Sequence, residues 1–262
     1  MNLITFTTDF GTRDWFVGTM KGVVLGINSR ARVVDITHEI PSGDIRAGAF
    51  ALAASCSFFP KGTIHVAVVD PGVGSTRKGI AVKTRNYVFV GPDNGVLSLA
   101  IGKHEIEAIH SLENETYFLK PVSTTFHGRD IFSPVAAHLS RGVQLQKFGP
   151  RQSDFVELKW SAPRRLKNGI SGEVVYIDKF GNGITNIRGE ILGRSPNRVC
   201  QVLGKKVIRC PLVDFYQAVP PGKPAAIISS SGFLEIAVNG GSAEKQLGLR
   251  LGIRVVVLSS PT

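Results

Sequence analysis

The chain is short of sulfur, of acidic residues and of long apolar runs, and each shortage closes off a class of protein. Three cysteines, Cys56, Cys200 and Cys210, are spread through 262 residues without a Cys-x-x-Cys pair, which leaves no zinc-ribbon motif and no disulfide framework. The N-terminus runs straight into Leu3-Ile4-Thr5-Phe6 with no basic flank and no long apolar core, so neither a signal peptide nor a membrane span is expected, and a cytoplasmic location is. Acidic residues number 20 against 31 Lys and Arg, a net charge of +11. That balance raises nucleic acid as a partner, but the basic residues are scattered, with short clusters only at Lys159 to Lys167 and Lys205-Lys206. No RNA-recognition aromatic motif, zinc finger or helix-turn-helix accompanies them, so a solvated basic surface is expected and no nucleic-acid partner.

What is present is enough chain to bury a core, in two domains. Up to about Gly149, short β-branched runs alternate with helix-like segments, the pattern of an α/β layer with a mainly parallel sheet. Expected strands are Leu3 to Thr8, Val33 to Ile36, Ile64 to Val69 and Tyr87 to Val90. Phe16, Met20, Val23, Val24 and Ile27 recur at helical spacing, and Asp44 to Phe58 is Ala-rich with an acidic start. A polar, turn-rich stretch from Gly149 to Asn168 marks the boundary, giving domains 1–158 and 159–262. Beyond it, Gly172 to Ile177, Gly183 to Ile187, Ala225 to Ser229 and Arg254 to Leu258 read as strands of a smaller all-β, barrel-like domain.

Glycines and carboxylates gather where apolar runs end. After the run Thr63 to Val69 comes Asp70-Pro71-Gly72-Val73-Gly74-Ser75-Thr76-Arg77, and a strand that opens into a glycine loop is where α/β proteins place ligands. The loop is not a dinucleotide fingerprint, because Arg77 holds the third glycine position, and no Gly-Lys-Ser/Thr follows. Asp70 at its mouth would repel a pyrophosphate. Similar polar ends are Thr8-Asp9-Phe10-Gly11, Asp35-x-x-His38, Pro92-Asp93-Asn94-Gly95, His127-Gly128-Arg129-Asp130 and Asp178-Lys179-Phe180-Gly181-Asn182. Taken one at a time, Asp9 and Asp93 are ordinary turn formers or caps and Gly181-Asn182 an ordinary hairpin turn.

Taken together and in order, these segments resemble the S-adenosylmethionine hydroxide adenosyltransferase family, the water-using relatives of fluorinase and chlorinase. The motifs are Thr-Asp-Phe-Gly at 8–11, Val-Asp-Ile-Thr-His at 34–38, Val-Asp-Pro-Gly-Val-Gly at 69–74, Gly-Pro-Asp-Asn-Gly at 91–95, Phe-His-Gly-Arg-Asp-Ile-Phe at 126–132 and Asp-x-Phe-Gly-Asn at 178–182. The resemblance implies an N-terminal α/β domain, a C-terminal β-barrel and a homotrimer that binds S-adenosylmethionine between one protomer's N-terminal domain and its neighbour's C-terminal domain. It implies attack of water at C5′, releasing adenosine and L-methionine, with no cofactor. The family's water-handling residues match Asp70, Arg77 and His127.

The sulfonium is already a good leaving group, so the chemistry asks for alignment of water and exclusion of competing water. A carboxylate, with a pKa of about 3.9, is too weak a base to strip water outright at about 15.7, so proton transfer accompanies bond formation. Arg77 donates hydrogen bonds and cannot act as base; His127 either accepts the proton or holds Asp70. The halogenases resemble one another in having Tyr at the position of Asp70, and a carboxylate there suits water better than halide. For the substrate body the resemblance implies Asp9 on the ribose hydroxyls, with Asp14, Trp15 and Phe16 lining the pocket. Phe180 and Phe215 would flank adenine, with Asn182, Val238 and Asn239 at its edge. Asp178 would meet the ammonium, with Ser230 and Ser231 near the carboxylate; here the sequence departs from fluorinase, which has Arg in place of Ser231 and Trp in place of Ile184.

Two other readings use the same residues. Asp9, Asp35, His38, Asp70, His127 and Asp130 offer ligands for the Mg²⁺ or Mn²⁺ of a nucleotide phosphohydrolase, although without tight metal-ligand spacing and with Arg77 nearby, so the expected metal set is none. A non-catalytic sensor would need the pocket but not Asp70, Arg77 and His127 together.

Overall fold

Alternation along the first strand sets the layers of the N-terminal unit. In the computed structural model, which describes residues 2–192 and 199–258, β1 (Leu3–Thr8) buries Ile4 and Phe6 in the main core and turns Thr5 and Thr7 the other way. The chain divides into two units, Met1–Leu158 and Lys159–Thr262.

In the first unit β1 is followed by α1 (Phe16–Ile27), β2 (Arg32–Thr37), α2 (Ile45–Ser55), β3 (Ile64–Val68), β4 (Gly79–Thr84), β5 (Val88–Pro92), α3 (Ser98–Ile101) and β6 (Ile106–Ser111). A single π-helical turn (Gly128–Phe132) leads into α4 (Ser133–Ser140), and β7 (Arg151–Gln152) closes the series. α1 starts at Phe16 and buries Val17, Met20 and Val24, while α2 is capped by Asp44, whose carboxylate accepts the Ala47 N–H. Met20 and Val24 of α1 share one core with Val135, Ala136 and Ala137 of α4 and with Val66, Phe132 and Phe148.

The sheet order is β2-β1-β3-β5-β4-β6-β7. Expected to be mainly parallel, the sheet is mixed: β1–β2, β1–β3 and β3–β5 are parallel, whereas β4–β5, β4–β6 and β6–β7 are antiparallel. The reason is the connection between β4 and β5, a tight turn in which Thr84 N–H donates to the Tyr87 carbonyl and Tyr87 N–H to Thr84 Oγ1. A turn that short permits only a hairpin, since a parallel pair needs a crossover of a dozen residues or more. The four parallel strands β2, β1, β3 and β5 therefore end on one edge, where Asp35, Asp9, Asp70 and Asp93 lie.

The second unit comprises β8 (Arg164–Leu166), β9 (Gly169–Ile177), β10 (Gly183–Arg188), α5 (Gly189–Leu192), β11 (Val199–Leu203), β12 (Val207–Pro211), β13 (Pro224–Ile228), β14 (Phe233–Val238), α6 (Ala243–Leu247) and β15 (Arg254–Leu258). Its strand path β12-β11-β15-β9-β10-β14-β13 curls into a nearly closed barrel. The two end strands approach through a bridge between Leu212 and Ala226, with Val213 N–H on the Ala226 carbonyl. Val174, Ile187, Val202, Leu234, Ile236 and Val255 fill its interior. The short helices α5 and α6 are additions that the all-β expectation did not contain.

Candidate functional site

Asp70 stands two residues past β3, and the loop behind it is bent back by its own backbone. Val73 N–H donates to the Asp70 carbonyl, Ser75 N–H to the Gly72 carbonyl, and Ser75 Oγ closes on the same Gly72 carbonyl at 2.6 Å. Gly74 has φ +76°, and a Cβ there would come within 2.3 Å of the Thr124 carbonyl oxygen, so only glycine lets this loop lie against residues 123–126. The turn brings Arg77 back onto Asp70: Nε donates to Oδ1 at 2.8 Å and Nη2 to Oδ2, a bidentate pair. The side chains are 4% exposed for Asp70 and 11% for Arg77. Phe132 of the π-turn lies under the guanidinium, 5.4 Å from ring centre to Cζ.

His127 completes the group, 2.8 Å from Arg77 Nη2 through Nδ1. Arginine only donates, so Nδ1 accepts, and the ring is held with its lone pair toward Arg77. In the neutral imidazole the proton is then on Nε2. Burial, followed by the Arg77 charge, pushes the imidazole below its usual range, against the opposing pull of Asp70 and Asp130.

Asp130, part of a motif in the sequence and a metal ligand in the phosphohydrolase reading, has a structural task. Fully buried, it takes Arg129 Nε at 2.5 Å and Nη2 at 2.9 Å and the Ser123 N–H at 2.8 Å, and its carbonyl receives the Leu119 N–H. It thus ties the segment before His127 to the π-turn after it, the kind of helical irregularity often found at functional sites. Gly128 packs closely, since a Cβ would meet Met20 Sδ at 3.2 Å and the Phe10 and Phe126 rings at 3.4 Å, so a larger residue would push these side chains aside by a few tenths of an ångström.

Asp9 follows β1, and its Oδ2 accepts the Gly43 N–H at 2.8 Å. Asp14 and Trp15 are exposed, whereas Phe16 is wedged among Trp15, Phe10 and Phe126 with ring centres 5.2 to 5.9 Å away. Asp93 is a framework group: its Oδ1 accepts the Val156 N–H at 2.7 Å, and burial raises its carboxyl above the usual range. Asp35 is ion-paired with Lys21. Among the described residues no three His, Cys, Asp or Glu side chains are arranged to hold a metal ion, and Arg77 lies between Asp70 and His127, two of the six side chains that the phosphohydrolase reading would use.

The residues expected from the second unit lie in the β9–β10 turn, in the β12–β13 connection (Phe215), in the β13–β14 turn and at the end of β14. Asp178 directly follows β9, and its Oδ1 accepts both the Phe180 and Asn182 N–H at 2.9 Å while Oδ2 takes the Asn182 side-chain amide at 3.1 Å. Gly181, at φ +82°, leaves room for Ser242, whose Oγ would lie 2.1 Å from a Cβ. Phe180 and Phe215 are largely exposed aromatic rings. Ser230 and Ser231 form the β13–β14 turn, where Ser231 Oγ meets Ser229 Oγ at 2.7 Å. Val238 is buried, and Asn239 is fixed by donation of its amide to the Val219 carbonyl.

Sequence reasoning passed over Glu235, 4% exposed on β14 and bonded through Oε1 to the Tyr216 hydroxyl at 2.8 Å. Burial raises its carboxyl, helped by the nearby Asp178 charge, and pushes Tyr216 up to about 12. The signal was there: a lone carboxylate inside the apolar run Phe233-Leu234-Glu235-Ile236-Ala237-Val238.

Comparison with known proteins adds to this geometry. Residues 4–149 match the SAM hydroxide adenosyltransferase N-terminal domain and residues 172–256 the C-terminal domain. A protein of Salinispora tropica named (R)-S-adenosyl-L-methionine hydrolase is 39% identical over 97% of both chains, and one of the same name from Thermus thermophilus is 37% identical over 98% of this chain and 100% of its own. A fluorinase of an Actinoplanes species is more distant, at 27%. A crystal structure of an uncharacterized conserved protein from Thermotoga maritima covers 97% of this chain and 99% of its own, at 38% identity and a TM-score of 0.92.

Proposed function

The chain belongs to the SAM hydroxide adenosyltransferase family, and from that membership we propose that it hydrolyses S-adenosyl-L-methionine to adenosine and L-methionine, with water attacking C5′ of the ribose. The observation that carries the reading is the contact of Asp70, Arg77 and His127 in one partly buried group. The relatives named as hydrolases are also nearer in sequence than the fluorinase, and a carboxylate at residue 70 disfavours a halide beside it.

The oxygen of water bonds to C5′ as the C5′–S bond breaks, and its electron pair goes to sulfur. That quenches the sulfonium charge, so methionine departs as a neutral thioether with no acid needed at the leaving group. One proton must leave the water. Asp70 keeps lone pairs beyond those engaged by Arg77 and accepts that proton as the bond forms. Arg77 stabilises the hydroxide-like charge. His127, with its Nδ1 lone pair committed to Arg77, serves as an orienting group and an Nε2–H donor rather than as base.

In this reading Asp9 receives the ribose hydroxyls beside Asp14, Trp15 and Phe16. Phe180 and Phe215 flank adenine, with Asn182, Val238 and Asn239 at its edge, while Asp178 meets the ammonium and Ser230 and Ser231 the carboxylate. A homotrimer would join these sets from neighbouring copies, a reading supported by the exposure of Trp15, Phe180 and Phe215. The protein needs no metal or organic cofactor and works in the cytoplasm, in keeping with its three free, buried thiols.

The test is incubation of the purified protein with each sulfonium epimer of S-adenosylmethionine, with and without EDTA, followed by chromatography. Equal adenosine and methionine, indifferent to EDTA, support the proposal; the relatives' names lead us to expect the R epimer as the better substrate. Saturable binding without product would overturn it in favour of a sensor, and loss of product with EDTA in favour of a metal-dependent enzyme.

A further inference from the structure

The segment Asp35-x-x-His38 is not used by the proposed chemistry, yet it is built into the loop that carries Asp9. His38 is 3% exposed. Its Nδ1 lies 2.8 Å from Thr8 Oγ1 and its Nε2 3.1 Å from Asp35 Oδ1. Asp35 is held in turn by Lys21 Nζ at 2.6 Å. The His38 carbonyl receives the Gly11 N–H at 2.7 Å. One residue thus grips the loop at positions 8 and 11, on both sides of Asp9.

The direction of the bonds is consistent throughout. A carboxylate facing Nε2 favours the proton there, which leaves Nδ1 as an acceptor for the Thr8 hydroxyl. Thr8 Oγ1 can then accept from the Phe10 N–H, 3.3 Å away. Phe10 N–H to Thr8 and the Thr8 hydroxyl to His38 are hydrogen bonds with their donors assigned, while His38 Nε2 faces Asp35 as a charge contact without hydrogen-bond geometry. Asp9 Oδ2 is meanwhile turned toward Gly43 N–H, so its orientation depends on where the 8–11 loop is pinned.

We propose that His38 is a positioning residue for Asp9, acting through Thr8 and Gly11 to set how well the site distinguishes ribose from 2′-deoxyribose. The inference rests on Asp9 receiving the ribose hydroxyls. A side chain that meets a substrate hydroxyl penalises the analogue lacking it, because the buried acceptor is then unpaired. An acceptor free to turn loses that discrimination.

The experiment compares kcat and KM for S-adenosylmethionine and its 2′-deoxyribose analogue in wild type, Asp9→Asn, His38→Ala, His38→Asn and Thr8→Val, with thermal midpoints alongside. We expect Asp9→Asn to flatten the preference for ribose. His38→Ala and Thr8→Val should flatten it too, raising KM about tenfold with kcat little changed, and should add nothing to Asp9→Asn. His38→Asn, whose side-chain oxygen can stand where Nδ1 stood, should restore part of the preference. A preference lost in Asp9→Asn but intact in His38→Ala and Thr8→Val overturns the positioning role while sparing the ribose contact. A preference unmoved by Asp9→Asn overturns the ribose contact and the inference with it. Thr8→Val is nearly isosteric and carries the same comparison if His38→Ala does not fold.

Discussion

Arg77 Nη2 and His127 Nδ1 meet at 2.8 Å, and because arginine has no acceptor, the contact commits the imidazole lone pair to the guanidinium. His127 is thereby tied to Arg77 rather than to Asp70, the partner the sequence reading considered for it. Replacing it with alanine should lower kcat about a hundredfold. His127→Asn, which keeps an acceptor near the Nδ1 position, should retain more activity than His127→Ala. Equal loss in both variants, measured as adenosine released per minute, would count against the orienting role.

The Asp70–Arg77 pair is buried on both sides, so removing one member strands a charge. Asp70→Ala should lower stability by about 3 kcal/mol in urea titration as well as removing turnover. Arg77→Lys should behave similarly in activity, because an ammonium cannot form the bidentate contact that Nε and Nη2 make. Near-normal turnover in Arg77→Lys would mean that charge alone suffices.

His65 is fully buried, with Nδ1 on Thr5 Oγ1 at 2.7 Å, and burial, then the neighbouring His104, lowers its pKa from 6.5 to about 3. The folded state therefore refuses a proton that the unfolded chain accepts below about 6.5. Stability should be unaffected by this group above that pH and fall as pH drops from about 6.5 toward about 3, by up to about 1.4 kcal/mol per pH unit. Denaturation midpoints of wild type and His65→Asn across that window check the sign: the wild type should show the steeper acid loss.

Gly74 cannot carry a side chain without displacing the Thr124 carbonyl. Gly74→Ala should reduce kcat at least tenfold by shifting the loop that aims Arg77, while leaving a folded protein by circular dichroism. Unchanged turnover would show that this loop tolerates movement.

The parts of the fold legible in the sequence are those with a periodic signal of their own. α1 spans the expected Phe16 to Ile27 because its apolar residues recur on one face, and Asp44 announces α2 as its cap. β4, β6, β7, β8, β11, β12 and β14 had no expectation, β14 because Glu235 interrupts its apolar run and β4 because it follows directly from the glycine loop. The π-turn has no spacing signature at all. The loop segments of the site were visible as polar ends of apolar runs, but the meeting of Asp70 with Arg77, and of Arg77 with a histidine 50 residues further on, follows from sheet order and from Gly74. Spacing alone does not encode that meeting; family resemblance placed the three residues in one site, and the structure supplies which touches which.

The mixed sheet also has a consequence in time. β4 and β5 are joined by three residues and pair as a hairpin, whereas β1 pairs with β3 across 60 residues, as in Ile4 with Ile64. Closing the longer loop costs more chain entropy, so the antiparallel half of the sheet should form ahead of the parallel half. Pulse-labelled hydrogen exchange should accordingly show protection at Val82 before Phe6, and simultaneous protection would refute the order. The ends of β1, β2 and β3, which hold Asp9, His38 and Asp70, are then the last part of the unit to take shape, and a half-made chain has a scaffold before it has any reactivity.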